Sequence, residues 1–140
     1  MDPMPEAVRD FDLGATWDPN APEAVLVATD SGETRLTLRA HPDDLDQRAV
    51  ALVWSRSRAA RMEPTNDEAL SGHSLYRAGL RDVPWIGEVF QSRLIANFEK
   101  RNRFHPLHDP RQFRQLRHWV VPLKEVLVEV VAEAIELQRV

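Results

Sequence analysis

Between Ala24 and Ala40 the chain changes pattern twice. An apolar run, Ala24-Val25-Leu26-Val27-Ala28-Thr29, meets the polar group Asp30-Ser31-Gly32-Glu33, after which Leu36 and Leu38 alternate with Arg35, Thr37 and Arg39. Alternation of period two sets one face on a core and the other in water, and glycine supplies the positive φ of a tight connection, so this stretch predicts a β-hairpin. His41-Pro42-Asp43-Asp44 breaks the run, and Ala49–Ser57 resumes it as a third strand, with Leu52 and Trp54 on one face and Val53 on the other. Residues 59–72 keep no period. With Thr65-Asn66-Asp67 as a turn or helix cap, they read as a loop or a short extra strand.

A helix is predicted over Pro84–Asn102. Proline is tolerated in a first helical turn, and Ile86, Phe90, Leu94 and Phe98 then recur at every fourth position beside Trp85 and Val89. Glu88, Gln91, Arg93, Asn97 and Arg101 take the other faces, and Lys100, Arg101 and Arg103 suit the negative end of the helix dipole. The C-terminal segment fits two templates. Leu123, Val126, Leu127, Val130, Val131 and Ala134 make a helical stripe opposite Glu125, Glu129 and Glu133; the valines at 126, 128, 130 and 131 favour a pleated strand, with Lys124-Glu125 turning Arg117–Leu123 into Val126–Ala134. At the other end, Pro3, Pro5, Pro19 and Pro22 predict a loose arm over 1–23, with one edge strand near Val8 to Leu13.

Composition narrows the classes. A chain of 140 residues with 43% hydrophobic and 29% charged side chains suits one folded domain, here 24–140 behind the arm. A net charge of −4 argues against a phosphate-backbone partner, so nucleic acid is not expected. The absence of cysteine excludes disulfides, thiolate metal sites and cysteine nucleophiles. Met1-Asp2-Pro3-Met4-Pro5-Glu6 lacks the basic-then-apolar pattern of a signal peptide, and no run reaches the roughly 18 apolar residues of a membrane span; a soluble cytoplasmic protein is the expectation.

The chemistry gathers at Asn102-Arg103-Phe104-His105-Pro106-Leu107-His108-Asp109-Pro110. His105, His108 and Asp109 are candidate ligands for a divalent metal such as zinc, with His118 or His73 completing the set. A general acid–base pair would instead join one histidine to Asp109, Glu129 or Glu88. The blander reading makes His105-Pro106 and Asp109-Pro110 turn formers. Arg93, Lys100, Arg101, Arg103, Arg111, Arg114 and Arg117 concentrate around the same loop in an acidic chain, which suits an anionic small molecule or an acidic protein surface unless these groups pair internally. The candidate binding set is therefore His73, Arg101, Asn102, Arg103, His105, His108, Asp109, Arg117 and His118. Of the tryptophans, Trp54, Trp85 and Trp119 fit a sheet–helix interface, whereas nothing in the pattern places Trp17.

Gly72-His73-Ser74-Leu75, Val83-Pro84-Trp85, the His105-Pro106-Leu107-His108-Asp109-Pro110 loop, Leu116-Arg117-His118-Trp119 and Glu129 together resemble an uncharacterised family of small bacterial proteins, over the C-terminal half of the chain. In similar proteins the segment matching His118 to Ala132 runs as strand, tight turn and strand, so the resemblance implies the hairpin. The chain departs from that pattern at Lys124-Glu125, where histidine then aspartate is usual, and at Ser74, where proline is usual. The resemblance implies no function. The expected fold is α+β: a mostly antiparallel sheet from both hairpins and the Ala49–Ser57 strand, with one long amphipathic helix packed on one face and the other face free for a homodimer partner. Without a complete catalytic motif, the expected function is a non-catalytic binding or accessory protein in the manner of immunity or antitoxin modules. The competing class is a small histidine-dependent, metal-assisted enzyme acting on an anionic small molecule.

Overall fold

The computed structural model describes residues 4–140; Met1-Asp2-Pro3, part of the expected arm, lies outside them. In chain order the strands are β1 (Ala7–Asp10), β2 (Val25–Ala28), β3 (Thr34–Leu38), β4 (Val50–Ser55), β5 (Ala59–Glu63), β6 (Gly87–Phe90), β7 (Arg117–Pro122), β8 (Leu127–Ala132) and β9 (Ala134–Arg139). The helices are α1 (Arg93–Asn102) and α2 (Arg111–Arg114). Two antiparallel sheets result, one in the order β1-β6-β7-β8-β5 and one in the order β2-β3-β4-β9.

The sheets are joined at a corner. β4 runs on into β5 while its partner β8 runs on into β9, and Ser55 faces Ala134 but Ala59 faces Val131, so Arg56, Ser57 and Arg58 oppose only Ala132 and Glu133. An extra residue on one strand is a β-bulge, which bends the ribbon and lets both strands change sheet together. Arg56 takes up the bend at φ 52°, and the Arg58 N–H to Val131 O bond of 2.7 Å and the Glu133 N–H to Ser55 O bond of 3.1 Å hold it.

The core lies between the inner faces. Leu36, Leu38, Val50, Leu52 and Trp54 from one sheet pack with Trp119, Val121, Val128, Val130 and Ala132 from the other. Trp17 is buried among them, and β1 pairs with β6, so the arm expected to be loose is tied in over these residues. The indole N–H groups of Trp54 and Trp119 have no hydrogen-bond partner among the described residues.

Both hairpins form as expected, β2–β3 and β7–β8, the second closed by a Leu123 N–H to Val126 O bond of 2.9 Å around Lys124-Glu125. They fall in different sheets. Residues 59–72, expected to be a loop or short strand, hold both: β5 and then one turn of 3-10 helix at Leu70–Gly72. The expected long helix over Pro84–Asn102 does not form. Ile86 joins the core, Gly87–Phe90 becomes a strand between β1 and β7, Gln91 turns the chain at φ 56°, and only Arg93–Asn102 is helical. The apolar spacing of four was met by two elements in succession. Gly87 carries the reason: a Cβ there would lie 2.9 Å from Val83 Cγ2 and 3.1 Å from the Arg9 carbonyl, so the close strand approach requires glycine.

The outer face of the five-stranded sheet is covered in two pieces. Leu75, Leu80 and Val83 lie over Val8, Val89, Val120 and Leu127 at one end. Leu94, Ile95 and Phe98 of α1, with Phe113 and Leu116, lie over Ala59 and Val131 at the other. No helix among the described residues is long and apolar enough to cross a membrane.

Candidate functional site

A polar seam runs where those two covers meet. β8 is buried throughout, yet its third residue is Glu129, whose side chain points to the covered face together with Leu127 and Val131. Cross-strand register brings Arg61 of β5 opposite Glu129, while His118 of β7 lies diagonally across from it. His118 and Glu129 are each 2% exposed. A charge so placed destabilises the fold unless every oxygen is paired. His118 Nε2 lies 2.9 Å from Glu129 Oε1, and Arg61 Nε donates to Oε2 at 2.8 Å. Burial alone would raise the Glu129 carboxyl pKa; the hydrogen bonds from His118 and Arg61 outweigh it and hold the group below its ordinary value.

The seam continues to Ser92. Its hydroxyl caps α1 by accepting the Ile95 N–H at 3.1 Å and lies 2.9 Å from His118 Nδ1. Because a carboxylate only accepts, the imidazole proton sits on Nε2, and the Nδ1 lone pair receives the Ser92 O–H. Ser92 in turn lines a cleft of about 560 Å³, with Phe90, Ile95, Phe113, Leu116 and Arg114 among its walls. A hydrogen-bonded line therefore joins an open cleft to a buried carboxylate.

His73 enters the seam from the other cover, with Nε2 3.9 Å from Glu129 Oε2. Glu63, His73 and Glu129 have candidate ligand atoms within 4.8 Å of one another, which meets the spacing of a metal site. Their hydrogen bonds describe a different arrangement. Arg61 Nε lies 3.2 Å from Glu63 Oε1 as well as beside Glu129, so a guanidinium already supplies the positive charge. His73 Nδ1 accepts the Leu75 N–H at 3.0 Å, which leaves the ring proton on Nε2, the atom a metal would need. The set fits an internal ion cluster better than a coordination sphere.

The His-Pro loop is built differently. His105, His108 and Asp109 do not converge. His105 is exposed and accepts the Leu107 N–H on Nδ1 at 3.0 Å. His108 Nε2 donates to Glu99 Oε1 at 3.2 Å and its Nδ1 accepts from Asn102 Nδ2 at 2.9 Å. Asp109 holds Arg111, with Oδ1 accepting the backbone N–H at 3.0 Å and Nε at 3.1 Å. Arg103 pairs with Glu99 at 2.7 Å. Arg117 makes two 2.7 Å bonds to Glu88 and lies 4.9 Å over the Trp119 ring, away from the loop. Arg101 stacks 4.8 Å over Phe98, and neither it nor Lys100 nor Arg114 has a carboxylate within 4.0 Å among the described residues. The hydrogen bonds brace the loop from within, while Phe104 and Leu107 stand 90% and 80% exposed at its tip.

Of the candidate residues, then, His73 and His118 come together on Glu129, and the other histidines stay apart. The sequence reading did not single out Ser92, Arg61, Glu63 or Arg58. Ser92 carried one usable signal, a serine two residues before the apolar pair Leu94-Ile95, the mark of a helix cap. No known protein family, curated protein or solved structure matches the chain.

Proposed function

We propose that the protein is a binding or accessory protein that grips a protein partner through the His-Pro loop. The observation that carries this reading is the pair Phe104 and Leu107, two large apolar side chains held in water on a loop whose own hydrogen bonds fix its shape. Exposed apolar groups on a loop cost less to order when its backbone is braced beforehand, and aromatic anchors at interfaces carry a large share of binding energy. The partner is a protein surface with an apolar pocket bordered by carboxylates. The uncompensated Lys100, Arg101 and Arg114 complement such a border. Beside the loop, a shallow pocket of about 370 Å³ lined by Arg58, Phe98, Arg101, Asn102 and Phe113 suits a carboxylate side chain over an aromatic floor.

The test places a photo-crosslinking phenylalanine analogue at position 104 in living cells. The expected result is one dominant adduct to an acidic protein, lost in the Leu107→Asp, Arg101→Glu double variant and kept in a seam variant such as His73→Gln. Adducts that are diffuse, that join two copies of this chain, or that survive the double variant would overturn the reading.

A further inference from the structure

The loop accounts for none of the seam's chemistry. We propose that Ser92, His118 and Glu129 form a nucleophile, base and carboxylate relay that hydrolyses small carboxylic esters bound in the cleft lined by Phe90, Ile95, Phe113 and Leu116. This goes beyond the binding reading and stands on separate residues.

Three observations support it independently. The Ser92 hydroxyl is within hydrogen-bond reach of His118 Nδ1 at 2.9 Å, and His118 Nε2 is held by Glu129 at 2.9 Å, the arrangement that activates a hydroxyl nucleophile. The second carboxylate oxygen is bonded to Arg61, so Glu129 stays ionised at 2% exposure and can balance an imidazolium formed beside it. Ser92 opens on a cleft of about 560 Å³ with an apolar floor, a size that fits a small ligand. A cap alone needs no buried imidazole, and an imidazole alone needs no cleft.

The steps balance without a further reactant. Ser92 Oγ attacks the ester carbonyl carbon as its proton passes to His118 Nδ1; the tetrahedral adduct collapses, the bond to the alcohol oxygen breaks, and the alcohol leaves with that proton. Water then attacks the acyl-Ser92 carbonyl, His118 takes its proton and returns it to Ser92 Oγ, and the carboxylic acid departs. Arg114, exposed on the rim, favours an ester with an anionic end.

The experiment incubates the full chain with an alkyl fluorophosphonate and, separately, with p-nitrophenyl butyrate. The expected results are covalent label on the peptide containing Ser92, and turnover that falls about 100-fold or more in His118→Gln. Ser92→Asn keeps the helix cap while removing the nucleophile, so it should melt like the wild type yet take no label and show no turnover. Absence of label on the wild type, label on another residue, or turnover unchanged in Ser92→Asn would each overturn the proposal. Crosslinking at position 104 and label on Ser92 are read in separate experiments on separate residues, so failure of the loop reading and failure of this one are distinguishable.

Discussion

The seam and the loop hold the same kinds of side chain, two histidines near a carboxylate and an arginine, and use them in opposite ways. In the loop each group is satisfied by a neighbour a few positions away, as with His105 by Leu107, Asp109 by Arg111 and His108 by Asn102 and Glu99. Water lies close by, so none of these bonds has to form for the chain to fold, and what the loop presents to solvent is its apolar tip. In the seam, Ser92 meets His118 across 26 positions and Arg61 meets Glu129 across 68. There His118 and Glu129 have been taken out of water by two separate covers, and only distant partners can satisfy them. Residue type thus marks where chemistry is available, and burial decides what it is worth.

The largest test of that contrast is removal of the central carboxylate. Glu129→Ala leaves the buried His118 N–H without its acceptor and should destabilise the fold by about 3 kcal/mol, read from the urea midpoint. Asp109→Ala should barely move the same midpoint, and equal losses at the two positions would abolish the distinction. Next in size, Phe104→Ala should weaken partner binding by about 2 kcal/mol or more while changing stability by no more than about 0.5 kcal/mol. A loss of stability comparable to the loss of binding would make Phe104 a packing residue. Ser92→Ala should lower stability by about 1 kcal/mol through the lost cap, and Ser92→Asn should restore most of it. Thermal unfolding of the two variants side by side reads the difference.

The smallest effect lies in acid. Folding lowers the Glu129 pKa below its ordinary 4.5, so the folded state binds that proton less readily than the unfolded one. Its contribution is complete above pH 4.5 and is lost as pH falls through the lower folded value. Glu99 and Asp109 are lowered too, each first by a hydrogen bond from an arginine, Arg103 and Arg111 respectively, on an exposed surface. Roughly 0.5 M salt should screen the loop carboxylates and leave the seam's share of the acid dependence in place. Acid titration of Glu129→Gln in that salt isolates the seam: if its stability falls as steeply as that of the wild type below pH 4.5, Glu129 is not the group responsible.

Patterns of period two were legible in the chain, and the β2–β3 hairpin and β4 were placed from them, whereas the C-terminal segment fitted a helical stripe as well as a strand and was placed as a hairpin by resemblance alone. The Pro84–Asn102 segment reads as one helix because Ile86 and Phe90, four apart along a single extended stretch, match a helical spacing that Leu94 and Phe98 continue beyond the turn at Gln91. Gly87 was the contrary signal, a residue poor in a helix and required where β1, β6 and Val83 crowd together. The loop was legible as a candidate because its residues are contiguous. The seam was legible only in fragments: a lone glutamate in an otherwise apolar run, a histidine before Trp119, a serine before Leu94.

By itself, then, the sequence determined the strands whose side chains alternate, the turns that glycine and proline impose, and the loop whose partners are neighbours, because all of these are settled over a few residues of backbone. Tertiary structure alone decided that the two hairpins part into different sheets, that a bulge at Arg56–Arg58 turns the corner between them, and that His118, Glu129, Arg61 and Ser92 meet. Those outcomes depend on which distant strands pair and which segments cover them. Local propensity carries no information about either, and the free energy that selects them appears only when the faces close and water leaves.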